Sequence, residues 1–436
     1  MLGLRAALAL GGVSSRCAAK GGSRPSIIWT PACTSGSRAC GARSCWRRSP
    51  PAEVGSAWRS QFGTFHARSS CVNATRHSAS LLRHGASQLP LVDVDTYNEE
   101  LRDDEGFVGD RASRRAFRAI LEEWRERIRE LGEDDPLGAE ASQTIPKKTL
   151  DTALKEGEPL AAGLVHTAIE EFSGELASVI RRFLRLERWR DTERIVIGGG
   201  IRSTRVGEVA IARATDLVKS SGIDVDIVPI RHEAEQAGLI GCVHLAPAWA
   251  LRDSDAILAV DIGGTNIRAG IVAPELEQAP DLTGCRVVTS ELWRHTTEGP
   301  TLTRDEMIAQ IVTVLEGLIH KAQEKRLKLA PLIGVACPGV IDADGSIERG
   351  AQNLPGNWES SRFNLPESLR NAIPHVGEYE THVVMHNDAV VQGLSVAPFM
   401  RDVQRWGILT IGTGLGNARF TNRATPGTEG MSNAKE

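Results

Sequence analysis

Two glycine turns with hydroxyl side chains are the segments of this sequence best suited to hold phosphate. "DIGGTNIRAG" follows the apolar run "AILAV", and "IGTGLG" follows "WGILT". Glycine has no Cβ, so backbone N–H groups in such turns can approach phosphate oxygens closely, and a threonine hydroxyl can donate as well. Either turn alone could be an ordinary tight connection. Two of them, each after an apolar strand, favour a phosphate site. The candidate residues are Gly263, Gly264, Thr265, Gly412, Thr413 and Gly414.

Two aspartates could supply the remaining chemistry. Asp261 ends its apolar strand beside the first turn and is suited to act as an outer ligand of Mg²⁺, through water. Asp388 lies in "VVMHNDAVV", where a strand changes into a helix. An aspartate at such a junction often caps the helix. Beside two phosphate turns it could instead take the proton of a hydroxyl nucleophile, and the residue types alone leave both interpretations open.

A third segment, "ERGAQNLPGNW", combines a rigid Pro-Gly loop with amide side chains and a tryptophan. Asn353, Gly356 and Asn357 are therefore candidate sugar-binding residues. The same composition also suits a well-packed turn with no ligand.

Hydrophobic spacing predicts the elements that must position these residues. Apolar residues at three- and four-residue intervals predict helices over 113–131 and 160–186, with further helices near 206–220 and 303–325. Both glycine turns are predicted to join the two strands of a hairpin. Strands are also predicted at "RIVI", "DVDIVPI" and "PLIGVACPGVI", and "EAEQAGLIGCVHLA" is predicted to be a closely packed helix. This alternation indicates an α/β protein with two similar lobes.

Charge divides the chain unevenly. Residues 1–88 hold twelve lysines and arginines against one acid, a net of +11, whereas the whole chain is −4 and the remainder is therefore −15. The acidic remainder disfavours general nucleic-acid binding, which needs a basic face. No apolar stretch approaches the roughly 18 residues that cross a bilayer, so no membrane partner is expected.

The first 88 residues are rich in Ser, Arg, Gly and Ala, and they hold five of the eight cysteines. This composition is typical of an organelle transit peptide, and it also fits a disordered leader or a mis-called start. A secretory signal is disfavoured because "ALALGGV" is short. The other three cysteines, Cys242, Cys285 and Cys337, are scattered without a CxxC pair, so neither a disulfide framework nor a Cys-rich zinc site is predicted.

Taken together, four segments resemble the ROK family (repressors, open reading frames and sugar kinases). They are "LAVDIGGTNIRAGIV", "GVACPGVIDADGSIERGAQNLPGNW", "VVMHNDAVVQGL" and "ILTIGTGLG", in the family's order between residues 256 and 417. The resemblance implies two RNase H-like lobes of the actin/hexokinase-like fold. It also implies phosphorylation of a hexose or N-acetylhexosamine with ATP and Mg²⁺. In that setting Asp388 would be the catalytic base, Asn387 would bind a sugar hydroxyl, and both turns would bind ATP.

The resemblance further implies that the chain is circularly permuted. Segments similar to those that follow the second turn in the family, "ALKEGEPLAAGLVHTAIEEF", "ERIVIGGG" and "EAEQAGLIGCVHLA", here precede the first turn. Gly198, Gly199 and Gly200 match the family's adenosine motif. The implied organisation is a leader over 1–89, a second-lobe portion with the adenosine motif over 90–231, a first lobe over 232–402, the second-lobe turn over 403–423 and a polar tail over 424–436.

Three family features have no counterpart here. The glutamate and histidine that clamp the hexose after the second turn are missing, and so are the Cys-rich zinc site and the helix-turn-helix arm of the repressors. If the segment before residue 110 folds against Asn387, an acid among Glu99, Glu100 and Asp103 could replace the clamp.

The leading hypothesis is a Mg-ATP-dependent sugar kinase. The alternative is a nucleotide- or sugar-binding sensor or regulator without kinase turnover, and a repressor is disfavoured because the body shows no basic recognition helix. The expected ligands are a small sugar and ATP, the expected location is the cytoplasm (or an organelle if the leader is genuine), and the "AGLIG" helix is compatible with a homodimer.

Overall fold

Two five-stranded sheets form the framework of the protein. The computed structural model describes residues 81–104, 106–295 and 302–423. The predicted leader, apart from its last residues, and the polar tail after residue 423 lie outside the described residues. The described part belongs to one unit, Cys71–Glu436. We call the two sheets the Asp261 sheet and the Gly412 sheet, after a residue in the first and a turn residue in the second.

The Asp261 sheet has the strand order β8-β7-β6-β9-β14. Its central strand "AILAVDI" is buried at all seven positions, which explains its continuous apolar run. β6 and β7 form the predicted hairpin, β8 continues it antiparallel, and β9 and β14 add parallel strands on the other side. The strands are β6 (Ala256–Ile262), β7 (Ile267–Ala273), β8 (Arg286–Trp293), β9 (Leu329–Cys337) and β14 (His382–Asn387).

The Gly412 sheet has the order β1-β16-β15-β4-β5. β15 and β16 form the second predicted hairpin, β1 pairs antiparallel with β16, and β4 and β5 extend the sheet in parallel. The strands are β1 (Val92–Tyr97), β4 (Arg194–Gly198), β5 (Asp226–Pro229), β15 (Arg405–Ile411) and β16 (Leu415–Asn422).

The two sheets share one strand pattern, an antiparallel trio followed by two parallel strands. In the Asp261 sheet, that pattern runs in chain order, from β6 through β7, β8 and β9 to β14. In the Gly412 sheet the equivalent order would be β15, β16, β1, β4 and β5, so β1 takes the third place although it comes earliest in the chain.

Helices cover these sheets and connect their parallel strands. The predicted helices over 113–131, 160–186, 206–220 and 303–325 are confirmed as α1, α3, α4 and α7, with ends within one or two residues. Thr303 begins α7 with a reciprocal capping box to Glu306. The helices are α1 (Arg114–Glu130), α2 (Lys147–Glu156), α3 (Pro159–Arg185), α4 (Arg205–Ser220), α5 (Ala237–Gly241), α6 (Ala248–Arg252), α7 (Arg304–Glu324), α8 (Leu365–Ala372) and α9 (Asp388–Leu394).

Short elements complete the fold. Small two-stranded sheets pair β2 (Arg102–Asp103) with β3 (Gly106–Phe107), β10 (Val340–Ile341) with β11 (Ile347–Arg349), and β12 (His375–Val376) with β13 (Tyr379–Glu380). Single 3₁₀ turns cover Val108–Ala112, Glu187–Trp189, Cys242–Leu245 and Ala397–Phe399. Within the described residues, no helix is both long and apolar enough to cross a bilayer.

The "AGLIG" segment lies in the core. The predicted helix is shorter than expected, five α-helical residues followed by a 3₁₀ turn, and all five are buried. A Cβ on Gly241 would lie 1.8 Å from the Val391 carbonyl oxygen of α9, and one on Gly238 would lie 2.4 Å from the Asp261 carboxyl carbon. Only glycine permits these approaches. A homodimer would therefore need another surface, because the chain itself covers this helix.

Candidate active site

Parallel pairing in the Asp261 sheet brings its two key carboxylates to one edge. Asp261 is opposite Ala336 of β9, and Asn387 of β14 is opposite Cys337, so β6, β9 and β14 end side by side. Asp388 follows immediately as the first residue of α9. The carboxyl ends of parallel strands are where α/β sheets place ligands.

The Gly412 sheet repeats this arrangement. Thr410 of β15 is opposite Gly198 of β4, so the glycine run 198–200 emerges beside the second turn. A Cβ on Gly199 would lie 2.5 Å from the Ile411 carbonyl oxygen, and its φ of +82° also favours glycine. The second turn is anchored on α1, where the Arg114 N–H donates to the Gly412 oxygen at 3.0 Å.

Both glycine turns and Asp388 open onto one cleft of about 420 Å³. Residues that follow strands of both sheets line it. The structure thus brings together most of the candidates that the sequence indicated. Those that line the cleft are Gly199, Gly200, Asp261, Gly263, Gly264, Thr265, Asn353, Asp388, Gly412, Thr413 and Gly414.

The glycine turns leave room where phosphate oxygens could be held. A Cβ on Gly414 would meet no atom within 4 Å, and one on Gly412 would meet only the Gly414 oxygen at 3.8 Å. On the other side, a Cβ on Gly264 would lie 3.4 Å from the Cβ of Asn353. Side chains at these positions would project into the cleft without displacing the fold, so the absence of side chains keeps the backbone accessible.

Asp388 has the electrostatic character of a base. Burial, followed by the nearby Asp261 carboxylate, raises the pKa of Asp388 to about 6. Its Oδ1 also accepts from the Ala389 N–H at 2.9 Å, which holds the carboxylate at the start of α9. A carboxylate with a pKa near 6 is ionised at neutral pH and binds a proton more tightly than an ordinary aspartate.

Asp261 is a buried carboxylate with an arginine beside it. Burial raises the pKa of Asp261, and Arg268, which faces it across the β6–β7 hairpin, opposes that shift. Within the described part of the chain, no group of three or more His, Cys, Asp or Glu side chains is arranged to hold a metal ion. A divalent ion here would need ligands from a bound phosphate in addition to Asp261.

Four predicted ligands do not line the cleft. Asn387 is buried with its amide fully engaged, since Oδ1 accepts from the N–H groups of Ala389 and Val390 and Nδ2 donates to the Gly339 oxygen at 2.9 Å. The residue therefore caps α9 and holds Gly339 at the cleft wall. The capping interpretation offered for Asp388 thus applies to its neighbour.

The other three of these candidates, Gly198, Gly356 and Asn357, lie behind the cleft. Gly198 ends β4 beneath Gly199. Gly356 packs against the backbone of Arg304 at the start of α7, and the Asn357 oxygen accepts from the Arg304 guanidinium at 2.7 Å. These contacts match the well-packed turn that the sequence left open for this loop. Asn353, at the start of the same loop, is the one that reaches the cleft.

None of the three acids considered as a replacement clamp lines the cleft. Thr96 donates to the Glu99 carboxylate, Glu100 pairs with Arg349 at 3.5 Å, and Asp103 pairs with Arg182 at 2.6 Å. Arginine partners outside the cleft thus hold Glu100 and Asp103, and none of these three acids enters the cleft.

Sequence reasoning missed the cations of the cleft. Arg114, Lys147 and Arg268 line it, and Lys147 Nζ donates to the Gly200 oxygen at 2.7 Å. Burial, then Arg114, lowers the pKa of Lys147. A small adjoining cavity of about 30 Å³ shares Arg114, Lys147 and Gly200 with the cleft. Its other lining residues are the apolar Phe117, Leu150, Ile201 and Val206 and the polar Arg118, Asp151 and Thr204. Arg114 and Lys147 begin helices far from either glycine turn in the chain, so no local motif indicates them.

Comparisons with known proteins agree with the predicted resemblance over part of the chain. No family model and no curated protein matches. A candidate sugar kinase from Cytophaga hutchinsonii is similar in structure at 20% identity, over 38% of this chain and 48% of that one, with a TM-score of 0.29. A candidate N-acetylmannosamine kinase from Listeria monocytogenes matches at 23% identity, over 38% and 47%, with a TM-score of 0.27.

A ROK hexokinase from Thermus thermophilus matches at 20% identity, over 37% of this chain and 45% of that one, with a TM-score of 0.24. The chain is thus similar to ROK-family sugar kinases, as its motifs predicted. The described part of this chain is mixed α/β. The chain spans about half the length of these structures, so its activity has to be argued from the cleft itself.

Proposed function

We propose that this protein phosphorylates a hydroxyl group of a hexose or N-acetylhexosamine, using ATP with Mg²⁺. The observation that carries the proposal is the meeting of Asp388 with two glycine turns, one from each sheet, in one cleft. A phosphate-binding turn on each side and a carboxylate between them are the parts that transfer of a phosphoryl group to a hydroxyl requires.

The residues of the cleft fit a nucleotide with its metal. Residues 263–265 and 412–414 would hold phosphate oxygens through backbone N–H groups, and Arg114, Lys147 and Arg268 would balance their charge. Gly199, Gly200 and the small cavity beside them would face the nucleoside. Asp261, to which no other described residue donates a hydrogen bond, would hold Mg²⁺ together with the phosphates. Bound Mg²⁺ would neutralise charge that develops on the transferred group.

Asp388 would act on the sugar. Its carboxylate accepts the proton of the attacking hydroxyl as the oxygen forms a bond to the terminal phosphorus, and the bond from that phosphorus to the bridging oxygen breaks to release ADP. The proton resides on Asp388 until solvent removes it. Positioned proton removal of this kind contributes roughly 10²–10⁴ in rate. Asn353 would contact the sugar from the first-turn side.

We also propose that the two sheets are two lobes of a circularly permuted fold. Their shared strand pattern supports this, because the Gly412 sheet follows it in chain order only when β15 and β16 are placed before β1. The boundaries proposed from the sequence, 90–231, 232–402 and 403–423, agree with this division, since β1, β4, β5, β15 and β16 fall in the first and third ranges.

Turnover by the full chain tests the proposed function. ADP release from Mg-ATP is measured with a panel of hexoses and N-acetylhexosamines, and Asp388→Asn serves as the blank. The matched control is Asp216→Asn on the exposed face of α4, which removes the same charge away from the cleft. Sugar-dependent turnover that is lost only in the Asp388 variant supports the proposal. Sugar or ATP binding without turnover would favour the sensor or regulator instead.

A further inference from the structure

The side chain of Asn98 lines the cleft beside the residues proposed to act on the sugar, and it lies outside every motif of the sequence. Asn98 follows β1 and lines the same cleft as Gly339, Gly350, Asn353 and Asp388. Its Nδ2 atom is buried and has no hydrogen-bond partner among the residues that the structure describes. A buried amide donor without an acceptor is unfavourable in a folded protein, so this amide on a cleft residue is available to pair with an acceptor that enters the cleft.

Contacts to β10 and to β16 hold the chain on the two sides of Asn98. The Tyr97 hydroxyl donates to the Ile341 oxygen at 3.3 Å and accepts from the Ile341 N–H at 3.2 Å. On the other side, the Asn98 N–H donates to the Asn417 oxygen at 3.0 Å. The Asn417 side chain and the Glu99 backbone exchange two further bonds of 3.0 Å. These contacts therefore hold the backbone from which the amide projects before any ligand binds.

The backbone conformation at position 98 also favours asparagine. Asn98 has a φ of +53°, in the left-handed region that asparagine tolerates better than most other residues. A Cβ on Gly350 would lie 2.8 Å from Asn98 Nδ2, and the φ of Gly350 is +93°. The space that Asn98 occupies thus exists because residue 350 is glycine. Such strained positions are found at ligand sites when neighbouring contacts maintain them.

We infer that Asn98 binds an oxygen of the sugar and determines which sugars are accepted. This inference rests on the proposed function. The amide supplies a neutral donor where an acid was sought among Glu99, Glu100 and Asp103. Rotation by 180° about the Cβ–Cγ bond exchanges the positions of Oδ1 and Nδ2, so either atom can face the cleft. The side chain can therefore pair with a hydroxyl or with an N-acetyl carbonyl.

Asn98→Gly in the full chain tests the inference, because glycine removes the amide and keeps the left-handed backbone. We expect the KM for the sugar to rise about tenfold, while the KM for ATP and the melting temperature stay close to those of the wild type. Arg326→Gly is the matched control, since exposed Arg326 has a φ of +57° and lies outside the cleft. This control should leave both KM values unchanged.

A structural role for Asn98 would give a different result. Asn98→Gly would then lower the melting temperature without changing the KM for the sugar, and that outcome would overturn the inference. Sugar binding by calorimetry separates the two proposals. A wild type that binds a sugar without turnover contradicts the kinase proposal, and weaker binding by Asn98→Gly would still support the role of Asn98. A wild type that neither binds nor phosphorylates any sugar overturns both.

Discussion

At the scale of single residues, the carboxylate of Asp388 combines its proposed function with a cost to stability. Its pKa is raised from 3.8 to about 6, first by burial and then by Asp261. The folded state therefore binds this proton more tightly than the unfolded state. Ionisation of Asp388 reduces stability as the pH rises from about 4 through 6, and above pH 6 the full penalty is present.

Asp388→Asn should therefore abolish turnover and stabilise the protein. We expect a loss of at least about 10²-fold in kcat and a gain of roughly 1–3 kcal/mol in the free energy of unfolding at pH 7.5. Urea unfolding at pH 7.5 and pH 4 measures the gain in the free energy of unfolding, which should be smaller at pH 4. An equal gain at both values would mean that charge is not its cause.

The pH dependence of turnover should report the same group. Because the base must be ionised, kcat/KM should rise about tenfold per pH unit below about pH 6 and level off above it. Asp261→Asn removes the neighbouring negative charge, so the inflection in that variant should move to lower pH. If the inflection of the kcat/KM curve lies at the same pH in Asp261→Asn as in the wild type, it would belong to another group, such as the nucleotide phosphate.

At the scale of elements, glycine has two opposite uses in this fold. In the second turn it keeps the cleft open, because a Cβ on Gly414 would meet nothing within 4 Å. In α5 it allows helix packing, because a Cβ on Gly241 would lie 1.8 Å from a carbonyl oxygen of α9. The same substitution should therefore affect ligand binding at one position and folding at the other.

Gly414→Ala should raise the KM for ATP about tenfold and leave the melting temperature unchanged, because the new methyl group would occupy the space proposed for phosphate oxygens. Gly241→Ala should cost about 1–3 kcal/mol or more of stability through overpacking, while the protein that remains folded keeps its KM for ATP. Thermal unfolding and steady-state kinetics of both variants measure the two effects. Destabilisation by the Gly414 change would show that the turn has a structural role.

At the scale of the whole molecule, residues 84–97 tie the two sheets together. The Gly85 N–H donates to the Met385 oxygen at 3.0 Å beside β14 of the Asp261 sheet, and β1 then pairs with β16 of the Gly412 sheet. Arg423, after β16, donates its N–H to the Leu91 oxygen at 3.0 Å. The end of β16 thus lies beside the start of β1, as the proposed permutation requires.

A rearranged chain tests the permutation. It would begin at Ser254, continue to Arg423, and run through a short flexible linker into residues 84–253. Because the break falls in an exposed connection and the linker leaves both ends of the join free to keep their positions, we expect the same fold, with a melting temperature within several degrees of the original. The same residues without the rearrangement are the control. Failure of the rearranged chain alone to fold would contradict the proposed equivalence of the sheets.

The sequence alone determined the local features of this protein. Apolar spacing identified the main helices and both hairpins, and glycine next to an apolar strand identified the turns, because these signals lie within a few residues of one another. The tertiary structure decided which of these residues meet. It brought Arg114, Lys147 and Asn98 into the cleft from distant segments, and it engaged the amide of Asn387 in capping. Such contacts depend on sheet pairing between residues hundreds of positions apart, which local spacing does not encode.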